Sequence, residues 1–375
     1  MCIKSDDAKR KFSRTLKVER GGFVNFYNRT VRKLIVLNEE NVKDMPVGRM
    51  FVCCTHRSHL DYVILGMKIP DFGAEQIRFA AGDNLTRIPR LGKLFRSVGA
   101  FSVHRAKSSH KSYVLRLANQ VKLMAAGGDT IIVFPEAGRS YSGEMLDVKS
   151  GILSAGILAQ KDEPDKPIFY LPTAINYTKL HDLRAFDLLL KSKKLRDGSK
   201  NFFVKNFGSA LYYFADIWVF LTSYIFKIKT DVILSVGKPV ALPQITDVEK
   251  NYISDAKTPL VANRESINEC AKWVTQQLYE LFPVLPMNVV AYLFDNFKED
   301  GLTEENVKKT VEKLKDLRLN IDMLKGISAK KILEDGIKSL KENGAVKGHS
   351  GVFLKKKERL KYLAAFVNSS IEKGG

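Results

Sequence analysis

The sequence predicts an α/β fold: a mostly parallel central sheet with helices on both faces, plus a small helical C-terminal module. Three observations predict it. Short apolar runs without helical periodicity recur at Met50 to Val52, Ile77 to Ala81, Thr130 to Phe134, Ile168 to Tyr177 and Val232 to Val236, and such runs suit buried strands. Segments of helical period lie between them, and strands alternating with helices argue for parallel pairing. From Pro283 onward the chain becomes Lys-rich and helix-like throughout.

The bulk numbers fit that class. At 375 residues the chain can bury a full core, so one large α/β domain with a smaller appendage is the natural expectation. The boundaries read as a basic helical arm over 1–45, the main domain over 46–282, and the C-terminal module over 283–375. Lys and Arg number 61 against 41 Asp and Glu, a net charge of +20, which favours anionic partners: nucleic acid, anionic lipid or an acidic carrier protein. Four cysteines, two of them adjacent, make no disulfide framework and suit a reducing compartment. Met1 to Arg20 is polar and charged, without the apolar centre of a secretory signal.

Taken in order, residues 1–45 carry apolar patches at Phe23 to Tyr27 and Leu34 to Leu37, read as one or two helices or as a membrane-facing arm. The strand at Met50 to Val52 passes through Cys53 to Asp61 into the apolar run Tyr62 to Leu65, the start of a helix. A second strand at Ile77 to Ala81 ends at Gly82-Asp83-Asn84, and a short strand from Val98 ends in two cations, His104 and Arg105. Ser108 to Ala126 is an amphipathic helix with Val114, Leu117, Ala118, Val121, Met124 and Ala125 on one face. Ser108 or Ser109 caps its start and Gly127-Gly128 ends it. Thr130 to Phe134 is the clearest buried strand and delivers Pro135-Glu136-Ala137-Gly138-Arg139-Ser140. A helix follows from Lys149 to Lys161, then the strand after Pro167.

Gly208 to Phe226 is unusual: one charge, Asp216, among many aromatics, with Lys205, Lys227 and Lys229 flanking. It barely reaches the ~20 residues of a membrane span. The strand after it belongs to the same sheet, so a single crossing would leave that strand on the wrong side. An in-plane or re-entrant membrane-associated segment over 208–226 suits it, with a core or oligomer helix as the alternative. Arg264 to Phe282 is helical. Periodic stretches at Thr303 to Leu317, Ala329 to Leu340 and Leu354 to Phe366 make the C-terminal module. It shows no zinc-finger spacing and no aromatic platform for single strands, so nucleic acid is not an expected partner.

Three loops after strands carry complementary groups. His56 titrates near neutral pH and can take a proton from an alcohol. Asp61 can fix its tautomer and stabilise the imidazolium. On a regular helix the two would lie about 140° apart, so they meet only if His56 is on the loop before the helix. Asp61 also fits a helix-capping role. A metal reading of His56 and His59 beside Cys53 and Cys54 lacks a second ligand cluster, so no metal is expected. His104 and Arg105 offer cations. Glu136, Gly138, Arg139 and Ser140 form a loop in which Gly138 admits an anion to backbone N–H groups and Arg139 can grip phosphate in two-pronged fashion. Together these predict a site for a phosphorylated alcohol. Gly138 to Ser142 lacks the second glycine of a nucleophile elbow, so the nucleophile is expected to be the substrate hydroxyl.

In this order the loops resemble the glycerolipid acyltransferase family, most closely its glycerol-3-phosphate and dihydroxyacetone-phosphate branch. His56-Arg57-Ser58-His59-Leu60-Asp61 is similar to the family's His-x4-Asp catalytic motif. Gly99 to Arg105 resembles the second block and Phe134 to Ser140 the third, both contacting the acceptor; Lys149-Ser150-Gly151 falls where a Lys-x-Gly follows. Leu171-Pro172 to Tyr177 looks like the fourth block, near the acyl side. Two positions depart from the pattern: Ala137 stands where glycine is usual, and Tyr141 where a basic residue is common.

The resemblance implies transfer of a fatty acyl group from an acyl thioester to glycerol 3-phosphate. His56 would be base and Asp61 its orienter, Arg105 and Arg139 would hold the phosphate, and His104 would supply further charge. Glu136 would brace the acceptor or its loop. Pro172 and Lys149 complete the expected substrate contacts. No cofactor is expected beyond acyl-CoA or acyl carrier protein as co-substrate. The expected partners are a glycerol-phosphate acceptor, the acyl donor and an anionic membrane surface on the cytoplasmic side. The alternatives are acylation of lysophosphatidate, another lysophospholipid or dihydroxyacetone phosphate, or a non-catalytic basic protein binding membrane or carrier protein.

Overall fold

The computed structural model describes residues 24–82, 99–104, 110–198, 201–248, 264–297, 300–349 and 352–374. After a short helix α1 (24–30), the strands are β1 (Val31–Leu37), β2 (Met50–Cys54), β3 (Ile77–Gly82), β4 (Ala100–Val103), β5 (Thr130–Val133), β6 (Phe169–Tyr177), β7 (Thr230–Val236) and β8 (Val240–Ala241). They form one sheet in the order β1-β7-β6-β2-β5-β3-β4, with β8 on β6. β6, β2, β5, β3 and β4 run parallel, while β7 is antiparallel to β6 and β1 pairs parallel to β7.

The helices are α2 (Asp61–Lys68), α3 (Lys111–Ala126), α4 (Ser150–Asp162), α5 (Phe186–Gly198), α6 (Phe202–Ile225), α7 (Leu242–Ile245) and α8 (Arg264–Leu281). The C-terminal part adds α9 (Pro286–Phe297), α10 (Glu304–Asp316), α11 (Ala329–Glu342), the hairpin β9 (Val346–His349) with β10 (Val352–Lys355), and α12 (Lys357–Gly374).

The central strands are apolar on both faces because both are covered. Side chains alternate along a strand, so Met50, Val52 and Cys54 of β2 enter one core cluster while Phe51 and Cys53 enter the other. Tyr62 to Leu65 of α2 pack on the first face; Val121 and Ala125 of α3 and Leu153, Ile157 and Leu158 of α4 pack on the second. Local chemistry sets the boundaries. α3 ends where Gly128 takes φ +91°, a left-handed turn that glycine adopts without penalty. The side-chain oxygen of Asn201 accepts from Phe203 N–H at the start of α6, and Ser328 does the same for Lys331 at α11.

Two expectations about organisation change. The helical arm expected over 1–45 is not helical throughout: Leu34 to Leu37 lie in β1, a strand of the sheet. Four apolar residues are too few to show a period, and pairing with β7 decides their conformation. The C-terminal part shares both cores with the sheet: Met287, Val290, Leu340 and Leu363 join the first cluster, and Val289, Leu293 and Phe366 the second. The capping roles of Ser108 and Ser109 lie outside the described residues. So does Arg105.

Candidate active site

Parallel strands put their carboxyl ends on one edge of the sheet, and ligands of α/β proteins bind there. β2 is flanked by β5 and β6, so the loop after β2 meets the loop after β5 on one side and the end of β6 on the other. The loop after β2 carries His56, and α2 begins at Asp61. His56 Nδ1 lies 2.8 Å from Asp61 Oδ2. The same oxygen accepts the backbone N–H groups of Arg57, at 2.6 Å, and Ser58, at 2.9 Å. Oδ1 accepts the Tyr177 hydroxyl at 2.5 Å. The two readings of Asp61 therefore combine: one fully buried carboxylate satisfies backbone donors of the loop and orients the imidazole.

Phe134, the residue after β5, stacks on the His56 ring with centroids 4.3 Å apart. Burial holds the His56 pKa below its ordinary value. Asp61 pulls it upward, while Arg139 and His59 push it down. The ring is neutral near pH 7, with Nδ1 donating to Asp61 and Nε2 carrying the basic lone pair. This is the form a general base needs.

The β5 loop is tied to the histidine loop. Glu136 is buried; its Oε1 accepts His56 N–H at 2.8 Å and its Oε2 accepts Leu146 N–H at 2.9 Å. Ser140 N–H donates to His56 O at 3.4 Å, and Ser140 Oγ accepts Gly143 N–H at 3.0 Å. Both side chains thus hold loops together. Arg57 donates to Gly143 O at 2.7 Å and lies over the Phe282 ring. Ala137 takes φ +55°, the left-handed conformation that explains why glycine suits this position. A Cβ on Gly138 would meet nothing within 4 Å, so its backbone has open space before it.

Arg139 is paired. Its guanidinium bonds the Asp182 carboxylate and, at 3.0 Å, the Tyr141 hydroxyl, which in turn hydrogen-bonds Tyr212 of α6. Asp182 lies in the single 3₁₀ turn His181–Arg184 after β6 and also accepts the Ser58 hydroxyl at 2.5 Å. The sequence singled out neither Asp182 nor the Tyr177 hydroxyl. Both belong to segments far along the chain from their partners, and no local pattern announces them.

The remaining expected residues are more dispersed. His104 follows β4, which lies three strands from β2, or about 14 Å along the sheet edge. Its N–H donates to the Tyr113 hydroxyl at 2.8 Å and its ring packs edge-on against that tyrosine. Lys149 is exposed just before α4, its N–H bonded to Pro135 O at 2.7 Å. Pro172 is buried within β6 beside Cys53, and its carbonyl accepts Gly237 N–H at 2.9 Å. It is part of the sheet interior that supports the dyad. Cys53 and Cys54 are buried thiols whose pKa burial pushes up, so they act as small apolar groups. Among the described residues no group of three His, Cys, Asp or Glu is arranged to hold a metal ion.

A buried His–Asp dyad at the carboxyl edge of an α/β sheet, with a glycine- and arginine-bearing loop beside it, is an arrangement with the geometry to activate a hydroxyl. Residues 33–174 match the family model described as Acyltransferase. The chain is 33% identical over 155 residues to a glycerol-3-phosphate acyltransferase of Xanthomonas axonopodis pv. citri, covering 41% of this chain and 17% of that one. It is 24% identical over 305 residues to a glycerol-3-phosphate acyltransferase of Alteromonas mediterranea, covering 78% and 34%. The chain thus spans no more than about a third of the length of these relatives. The solved 1-acyl-sn-glycerophosphate acyltransferase of Thermotoga maritima aligns over 74% of this chain and 80% of that one at 19% identity. Its TM-score of 0.38 is too low to carry an argument.

Proposed function

We propose that this chain transfers a fatty acyl group from an acyl thioester, acyl-CoA or acyl carrier protein, to a hydroxyl of glycerol 3-phosphate. The observation that carries the reading is the His56–Asp61 pair, with Nδ1 committed to the carboxylate and the ring neutral. His56 Nε2 removes the proton as the hydroxyl oxygen attacks the thioester carbonyl. The tetrahedral intermediate collapses, the C–S bond breaks, and the imidazolium returns its proton to the departing thiolate. Asp61 stabilises the imidazolium between these steps. General-base help of this kind contributes roughly 10²–10⁴-fold. The acid–base steps run on protein side chains alone.

The acceptor phosphate is placed on the Phe134 to Ser140 loop, at the open backbone of Gly138, where it shares the Arg139 guanidinium with Asp182. Relatives named glycerol-3-phosphate acyltransferase support the choice of acceptor. The membrane partner is assigned to α6. Phe203, Phe207, Phe214, Trp218, Leu221 and Ile225 are exposed and recur at helical spacing, with exposed Lys205, Lys227 and Lys229 around them. No described helix is long and apolar enough to cross a membrane, and a stripe with lysine neighbours suits a helix lying in an anionic interface.

The test is a labelled glycerol 3-phosphate assay with palmitoyl-CoA or palmitoyl carrier protein in liposomes, run beside His56→Ala. Product from the parent and at least a hundredfold less from the folded variant supports the reading. Product only with dihydroxyacetone phosphate or lysophosphatidate moves the acceptor. No product from any pairing, with vesicle binding retained, promotes a non-catalytic membrane-binding protein.

A further inference from the structure

Asp61 is held from a side that the His-x4-Asp motif does not contain. Its Oδ2 is filled by the imidazole and two backbone N–H groups, and among the described residues Oδ1 takes one donor, the Tyr177 hydroxyl. Tyr177 is the last residue of β6, the strand beside β2, and 1% of it is exposed. Being fixed in the sheet, it brings its hydroxyl to the carboxylate as part of the backbone framework. We infer that Tyr177 is a positioning residue for the dyad: its hydroxyl fixes the rotation of the Asp61 carboxylate, disperses its charge, and so sets how basic His56 is.

The chemistry follows from the bond. A hydroxyl donating to a carboxylate at 2.5 Å is a charge-assisted bond of the strong kind. Burial and the neighbouring Asp61 charge raise the Tyr177 pKa, so the phenol keeps its proton and stays a donor. Negative charge drawn toward Tyr177 is charge not offered to the imidazolium. Removing the hydroxyl concentrates charge at Asp61, stabilises protonated His56 and raises the pH at which the base becomes available. The other groups facing the pair are Arg139, His59 and the Glu136 carboxylate around His56, Cys54 and Tyr362 around Asp61, and Asp182 and Cys54 near Tyr177. Replacing Tyr177 by phenylalanine changes none of them.

As a role in catalysis the inference rests on the acyl-transfer reading, but its physical core does not. The experiment is histidine-selective NMR titration of the full chain, in which the six histidines allow His56 to be assigned from the spectrum of His56→Ala. Tyr177→Phe is compared with Tyr170→Phe, a buried β6 tyrosine whose hydroxyl donates to Leu153 O on the opposite face. Tyr177→Phe is expected to raise the His56 midpoint by about half a unit or more, with the acidic limb of any acyl-transfer activity moving the same way. The turnover number is expected to fall severalfold with acceptor KM within twofold. Tyr170→Phe should leave the midpoint in place. An unmoved His56 midpoint in folded Tyr177→Phe, or an equal shift in Tyr170→Phe, overturns the inference. Absence of any acyl transfer by the parent counts against the proposed function and leaves the titration to decide this one.

Discussion

Asp61 concentrates four hydrogen-bond donors on one buried carboxylate, and each is lost or reversed in a different substitution. Asp61→Asn keeps the shape but supplies an NH₂ where a donor already points, so at least one donor is left unmet. A buried polar group left unmet costs about 1–3 kcal/mol, and loss of the oriented base should cost turnover roughly 10²–10⁴-fold. A denaturation midpoint read beside the steady-state rate separates the two effects. The pH dependence has a definite sign. His56 works as a base only when neutral, and burial lowers its pKa, so activity should persist below the ordinary imidazole range and fail only at more acidic pH. A rate profile whose acidic limb lies above the ordinary imidazole value would contradict this. Ala137 is a second residue with a measurable consequence. An L-residue at φ +55° costs about 1–2 kcal/mol, and glycine's extra unfolded freedom costs about 0.5–1 kcal/mol. Ala137→Gly should therefore stabilise the fold by about 0.5–1 kcal/mol, read as a higher denaturation midpoint at unchanged slope.

At the scale of elements, α6 shows how one helix serves two surfaces. Tyr212, Ala215 and Val219 are buried on its inner side, where Tyr212 reaches Tyr141 and through it the Arg139 site. The outer side chains Phe207, Phe214, Trp218, Leu221 and Ile225 are exposed. Burying a large apolar side chain is worth about 1.5–3 kcal/mol, so each stripe residue that enters an interface matters tenfold or more in affinity. Phe207→Glu and Trp218→Glu should each weaken sedimentation with phosphatidylserine vesicles at least tenfold, while the melting temperature stays near that of the parent. Unchanged vesicle binding in both would remove α6 as the docking element. The chemistry of this segment was legible in the sequence, because aromatic composition and flanking lysines do not depend on neighbours. Its helical phase needed the structure. The direction of β7 was not legible either, since an apolar run reads the same parallel or antiparallel. β1 was obscured for a related reason: its short apolar run, Leu34 to Leu37, takes its conformation from β7. The loops that carry His56, Glu136 and Arg139 were legible because glycine, proline and charge interrupt apolar runs there. Their partners Tyr177 and Asp182 were not, because the contacts close only when β6 lies beside β2.

At the scale of the whole molecule, the sheet edge that carries the candidate site is held by the C-terminal helices. Asn288 accepts from Asn176 of β6 and donates to Leu363 O, and Asn343 accepts Leu180 N–H and donates to Thr178 O just after that strand. Removing residues 283–375 would expose both cores. Glycines around the β5 loop separate a fold effect from a site effect. Gly143 has φ +88°, and an added Cβ would lie 1.9 Å from the Tyr362 carbonyl oxygen of α12. Its own carbonyl anchors Arg57, next to His56. Gly143→Ala must push α12 away or tear the loop from it, so both stability and activity should fall, the stability by about 3 kcal/mol or more. Gly138 lies five residues earlier in an ordinary backbone conformation, with nothing within 4 Å of an added Cβ. Gly138→Ala should therefore leave the melting temperature nearly unchanged. The methyl would then stand only in the space proposed for the acceptor phosphate, so acceptor KM should rise severalfold while the acyl-donor KM does not. An intact melt with unchanged acceptor KM would move the phosphate off this loop, and a collapsed melt in Gly138→Ala would show that the loop itself is packed more tightly than its open surroundings imply.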